Sequence, residues 1–207
     1  MSRSDNLWAH TRPTGLPVAS GCPIIAPFFA DVDTRGAGSR LVTYGNTIYN
    51  GQTAFVVDWI SVGYYNEHTD KTNSFQLILI NRSDTGAGNF DIEFNYDRIQ
   101  WETGDASGGS DGLGGTSAVA GYSNGQAGSN NVYYQLAGPL VNGALLDGGP
   151  DSLTGHSLNS TVLGRYDFEV RNGDVIVPTT TPEPMSMGLL GLGLVGCWAV
   201  RKRFTRS

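Results

Sequence analysis

Several stretches of this 207-residue chain hold residue types that could do chemistry. Gly121-Tyr122-Ser123-Asn124-Gly125 has the Gly-x-Ser-x-Gly spacing of a nucleophile elbow, a strand-to-helix turn that exposes a serine hydroxyl for attack on an acyl group. The elbow needs a helix after Ser123, but Gln-Ala-Gly-Ser-Asn-Asn follows, a poor helix start, so a glycine turn is the simpler reading. Asp31-Val32-Asp33-Thr34-Arg35-Gly36 copies the first half of a calcium loop. Arg35 stands where an oxygen ligand belongs and Val42 where the closing Glu belongs, so the segment is no EF-hand. Two readings of Asp31 and Asp33 stand. One is a non-standard calcium site completed by a distant carboxylate. The other is turn chemistry, in which Asp side chains accept hydrogen bonds from nearby amides. Asp91, Glu93, Asn95 and Asp97 alternate along one stretch, as a cation-binding stripe or as the wet face of an antiparallel strand. Trp59, Trp101 and the tyrosines could form a sugar platform, although aromatics on a sheet more commonly build core. His10, His68 and His156 lie among polar residues with no evident catalytic partner.

The elements that must position these residues read as strands. Residues 53–65 are rich in β-branched and aromatic side chains. Ser-Phe-Gln-Leu-Ile-Leu-Ile at 74–80 is apolar on both faces, which predicts a central buried strand. In 89–97, Phe90, Ile92, Phe94 and Tyr96 fall on one face and the acidic stripe on the other. Residues 164–170 put Tyr166, Phe168 and Val170 on one face, while 116–123 and 131–136 are weaker strand candidates. Gly, Asp, Asn and Ser crowd the intervals, which have turn composition. No stretch before the tail sustains a helical period. The expected fold is all-β, an antiparallel sandwich.

The ends of the chain differ from this body. All 19 acidic residues precede Met185, whereas four of the 13 basic ones follow it. An acidic body repels phosphates, so no nucleic-acid partner is expected. Residues 173–184, closing on Pro182-Glu183-Pro184, read as a linker that proline keeps extended and accessible. Residues 185–200 carry no formal charge and would span about 24 Å as a helix, against the ~30 Å of a bilayer core. Arg201, Lys202 and Arg203 follow at once, which predicts a membrane helix with 201–207 as a basic cytoplasmic tail and 1–184 on the opposite side. Cys197 lies in the apolar run, so a bridge to Cys22 is not expected.

In order and spacing, the Pro-Glu-Pro, the Gly/Leu-rich span and the basic end resemble the PEP-CTERM sorting signal of Gram-negative bacteria. The resemblance implies recognition by an exosortase-type processing enzyme and delivery to the cell surface. It is an address and does not specify what the body does.

The body resembles the NIDO domain, an extracellular module. The resemblance covers residues 23–172 and is most specific at Asp31-Val32-Asp33, at the strand entry 73–77, and at Tyr96 through Trp101. It implies a non-enzymatic module of cell–matrix adhesion, with an extracellular matrix or surface polysaccharide or protein as partner. It implies no cofactor; calcium at Asp31 and Asp33, or a carbohydrate, is the alternative ligand. Residues 1–22 are unassigned: they are polar and lack the basic and apolar regions of a secretory leader. An exported sandwich that opens at Pro23 is expected to be truncated, with leader and strands encoded before Met1, and to expose an uncovered strand edge and apolar surface.

Overall fold

The computed structural model describes residues 22–126, 132–138 and 140–176. Pro182, Glu183, Pro184, the apolar span 185–200, the basic residues Arg201, Lys202 and Arg203, and His10 lie outside the described residues.

The described chain is antiparallel β-structure in two sheets. The strands are β1 (Ile24–Phe29), β2 (Val32–Asp33), β3 (Thr43–Tyr49), β4 (Gln52–Tyr64), β5 (His68–Asn81), β6 (Phe90–Arg98), β7 (Val119–Ser123), β8 (Tyr133–Gln135), β9 (Arg165–Arg171) and β10 (Asp174–Ile176). Among the described residues the helical structure is a single 3-10 turn, Asp105–Ser107, and no helix is long and apolar enough to cross a membrane. The large sheet runs β10-β9-β6-β5-β4, with both β2 and β3 pairing β4; the small sheet runs β1-β7-β8. The apolar stretch 74–80 is the heart of the central strand β5, and the two weaker strand candidates are β7 and β8. β10 carries the sheet to Ile176, into the segment read as the start of the linker.

Period-2 alternation sets the faces of the large sheet. Two cross-sheet rows define its inner face. One is Phe168, Ile92, Leu79, Phe55 and Asn46; the other is Tyr166, Phe94, Leu77, Val57 and Tyr44. The small sheet lies over part of this face. Tyr122 of β7 and Tyr134 of β8 meet the Phe168 ring at 5.3 and 5.6 Å, and Phe28 of β1 meets Phe75 of β5 at 5.4 Å. The three strands therefore cover β9, β6 and β5, with β1 nearest to β4.

The segment after β6 joins the sheets to the loops. Trp101 is fully buried, and its indole N–H donates to the Val62 carbonyl at 3.1 Å. Asn73 is equally buried. Its Oδ1 accepts from the amides of Gln100 (2.7 Å) and Trp101 (3.2 Å), and its Nδ2 donates to the Trp101 carbonyl at 2.9 Å. Glu102, also fully buried, accepts from the amides of Gly143 (2.8 Å) and Leu145 (2.6 Å), which organises a loop remote in sequence. Tyr96 reaches across the layers, its hydroxyl donating to the Pro27 carbonyl at 2.6 Å.

Asn73→Ala strands two amides and a carbonyl inside the protein and should cost about 3 kcal/mol, since each unmet buried polar group costs ~1–3 kcal/mol. Thermal melts followed by tryptophan fluorescence should show a midpoint lowered by about 6–12 °C. A shift under about 2 °C would show that the clamp is dispensable.

Candidate functional site

Asp31 and Asp33 flank Val32 at the junction between the sheets, and each is built into a different contact. Asp33 is buried and grips Arg35: the Arg35 Nε donates to Oδ1 at 2.9 Å and a terminal nitrogen donates to Oδ2 at 2.6 Å. The amides of Arg35 (2.9 Å) and Glu67 (3.1 Å) complete its coordination. The Arg35 guanidinium beside it holds the Asp33 carboxyl down to about 2, the backbone amides adding to the effect. Arg35 in turn donates to Asn66 Oδ1 at 3.1 Å and lies 5.5 Å above the Tyr65 ring. Asp31 Oδ2 accepts from the Ser107 amide at 2.8 Å, and its carbonyl accepts from the Tyr65 amide at 3.0 Å. Gly104 is required where these loops meet, because a Cβ there would stand 2.8 Å from both Asp31 Cβ and the Tyr65 carbonyl oxygen. The two aspartates thus tie three loops together, around residues 31–37, 65–67 and 104–107. His68 adds a contact to the same cluster, 3.0 Å from Asp105 and stacked on Tyr64. Among the described residues no three His, Cys, Asp or Glu side chains converge as a metal site. A cation at Asp33 would have to displace the Arg35 guanidinium.

The acidic stripe of β6 sits on the outer face of the large sheet, as its alternation predicts, but that face is not uniformly wet. Glu93 is only 5% exposed. Tyr49 of β3 reaches across two strands to donate its hydroxyl to Glu93 at 3.0 Å, over a small apolar cluster of Ala54, Val56, Ile78 and Ile80. Asn95 Nδ2 donates to Glu93 at 2.7 Å, and Arg165 lies 3.4 Å away. Asp91 is paired with Arg82 and Arg171 at 2.8 and 2.6 Å. Asp167, directly opposite Glu93 on β9, has Oδ1 buried without a hydrogen-bond partner. Burial, and then the charge of Glu93, push its carboxyl up to about 6.

The remaining chemical motifs serve structure. Ser123 is buried at the end of β7, its Oγ accepting from the Gly125 amide at 3.1 Å, and the residues described just after it, 124–126, are not helical. His156 Nδ1 lies 3.0 Å from the Ser152 carbonyl. Trp101 is core, and Trp59 stacks on Phe75 at 5.0 Å, so neither forms an open sugar platform with the other. The feature that sequence reasoning did not locate is β3. Its exposed composition, Thr-Tyr-Gly-Asn-Thr-Ile-Tyr, shows no clean alternation, yet it pairs with β4 along its whole length.

The two displaced carboxyls act on stability in opposite senses. Asp33, lowered from 3.8 to about 2, contributes stability that is present above pH 4 and lost as pH falls toward 2. Asp167, raised from 3.8 to about 6, is neutral in both states well below 3.8; the unfolded chain ionises first, so native stability is lost as pH rises from about 4 through 6. Asp167→Asn should therefore stabilise the fold at pH 7.5 by on the order of 1–2 kcal/mol and change little at pH 4. The effect stays below the roughly 3 kcal/mol that the full displacement from 3.8 to about 6 would represent, because water reaches the half-buried side chain. Asp33→Asn should destabilise at pH 7.5 and converge on wild type near pH 2. Denaturant melts at the three pH values check both signs; an Asp167→Asn gain independent of pH would refute the charge argument.

The family profile described as nidogen-like domain matches residues 4–172, and that of the PEP-CTERM protein-sorting motif matches residues 180–203. Alpha-tectorin of Mus musculus is 33% identical over 192 residues, 82% of this chain and 8% of the relative. The human protein is 31% identical over 194 residues (82% and 8%), and that of Gallus gallus is 28% identical over 210 (90% and 9%). The chain thus spans less than a tenth of the length of these relatives. No solved structure matches. The profile covers most of the chain, including the clamp of Asn73, Trp101 and Tyr96 and the loops tied by Asp31 and Asp33. The chain therefore belongs to the nidogen-like domain family and ends in a PEP-CTERM protein-sorting motif.

Proposed function

We propose that this protein is a non-enzymatic, surface-displayed module of cell–matrix adhesion, exported and delivered through its C-terminal sorting motif. The observation that carries the reading is the joining of two parts on one chain: a nidogen-like domain over 4–172 and a sorting motif over 180–203. The first belongs to an extracellular class of module, and the second directs where a product goes. In this reading Pro182-Glu183-Pro184 is the processing signal for an exosortase-type enzyme. Residues 185–200 form the membrane helix, and Arg201, Lys202 and Arg203 hold the tail in the cytoplasm while residues 1–184 face outward. The partner is an extracellular matrix or surface polysaccharide or protein. The burial of Ser123, whose Oγ accepts from the Gly125 amide, supports the non-enzymatic part of the reading.

Replacing Pro182, Glu183 and Pro184 together by Ala should leave the chain inserted but unprocessed, because the apolar run is untouched. Fractionation and mass measurement of the mature C-terminus check this; trimming identical to wild type would reduce the tail to a plain anchor. Deleting the gene should weaken attachment or matrix cohesion while leaving growth unchanged. Calcium-dependent melting that disappears in Asp31→Asn, or a specific hit on a glycan array, would favour the ligand-binding alternative. Turnover of an ester or glycoside lost in Ser123→Ala would overturn the non-enzymatic reading.

A further inference from the structure

The large sheet ends on strands of very different length. β2 offers two residues and β10 three, whereas β3 runs seven residues in unbroken register with β4. The other edge of β3 takes no strand among the described residues. Natural edges of that length commonly carry a charge, a proline or a bulge that stops another strand from adding. β3, Thr-Tyr-Gly-Asn-Thr-Ile-Tyr, has none of the three. Its inner face is apolar and open: Tyr44 is 77% exposed and Ile48 67%, and the Tyr44 ring lies 6.0 Å from that of Phe55 on β4.

The hairpin turn fixes which backbone groups face that open edge. Tyr49 and Gln52 are partners across Asn50-Gly51, whose φ values of 50° and 82° make a two-residue type I′ turn. Tyr49 therefore bonds to β4, and by alternation so do Thr47, Gly45 and Thr43. The amides and carbonyls of Tyr44, Asn46 and Ile48 point outward. This pattern is its own complement. An antiparallel copy of β3 centred on Asn46 sets Asn46 against Asn46 and, on each side of it, Tyr44 against Ile48. That register closes about six backbone hydrogen bonds. It also lays the bare apolar side chains against each other, in the isologous geometry of a two-fold dimer. Charge singles out the same place. Ahead of Met185 the chain holds 19 acidic and nine basic residues, so two copies repel over most of their surface. β3 and the groove beside it, which includes Phe55, Leu79, Asn81 and Phe90, carry no charge. A like copy meets least repulsion there, and a strongly charged partner finds nothing to pair with.

We propose that two copies of this chain pair through β3, antiparallel about Asn46, and so join their large sheets into one. The contact is small, which puts the dimer in the weak class. Sedimentation of the full chain in mild detergent, in a background of Cys22→Ser and Cys197→Ser, tests it. Dimer should grow with concentration up to about 100 µM. Asn46→Lys and Asn46→Asp should each melt as the parent chain does but stay monomeric, because like charges then face each other on the axis. Mixing the two variants in equal amounts should restore the dimer. In the same background Asn46→Cys should oxidise to a covalent dimer, its Cα atoms being about 5.5 Å apart across a hydrogen-bonded pair. Thr43→Cys, about 20 Å from its counterpart in this register, should not. A parent chain that stays monomeric throughout that range, or a charge-swapped mixture that stays monomeric, would overturn the proposal. So would failure of Asn46→Cys to close, or a dimer that Asn46→Lys leaves intact, which would place the association elsewhere on the chain.

Discussion

The buried amide of Asn73 is the contact on which the other layers of this domain depend. A single side chain satisfies two amides and one carbonyl of the chain leaving β6, and so fixes Trp101 in the core. Trp101 in turn lies 5.5 Å from Phe28 of the small sheet and donates to the β4 backbone. The next residue, Glu102, holds the 143–145 loop. Large sheet, small sheet and long loop are thus registered against one another within three consecutive positions. An apolar residue at 73 could fill the space but could not meet the three backbone groups, and unmet groups in that interior are more costly than lost packing.

The two faces of the large sheet solve different problems. The inner face is aromatic and dry where the small sheet covers it. The outer face has no second sheet over it among the described residues and is closed by side chains: Tyr49 laid across the strands, and guanidinium–carboxylate pairs of Arg82, Arg171 and Arg165 with Asp91 and Glu93. Such pairs do little for stability on an open surface but order the face where they are partly buried. Asp167 is the member left over, its Oδ1 buried without a hydrogen-bond partner beside Glu93, and burial together with the Glu93 charge raises its pKa.

The arrangement concentrates its cross-loop contacts at one end. The loops around Asp31, Tyr65 and Asp105 are held by backbone contacts and by the ion pair of the exposed Arg35 with the buried Asp33 carboxylate. The opposite end, at β3 and the groove, carries exposed aromatic and aliphatic surface.

Much of the fold was legible before any coordinates. Alternation in 89–97 and 164–170 assigned the inner and outer faces of β6 and β9, and the doubly apolar run 74–80 identified the central strand, because both signals are local and have the period of the backbone itself. The sorting motif was legible for a similar reason: its three parts are contiguous, and their order is their meaning. What escaped was non-local. β3 has a composition that specifies nothing alone and becomes a strand only by pairing with β4. The fate of Asp33 depended on whether Arg35 turned toward it, and the burial of Glu93 on a tyrosine 44 residues away. Sequence by itself determined which residues alternate and which address the chain carries. Tertiary structure alone decided which carboxylates are paired, which are buried and which apolar strip lies bare, because those outcomes depend on sheet register, which brings together groups that no local pattern connects.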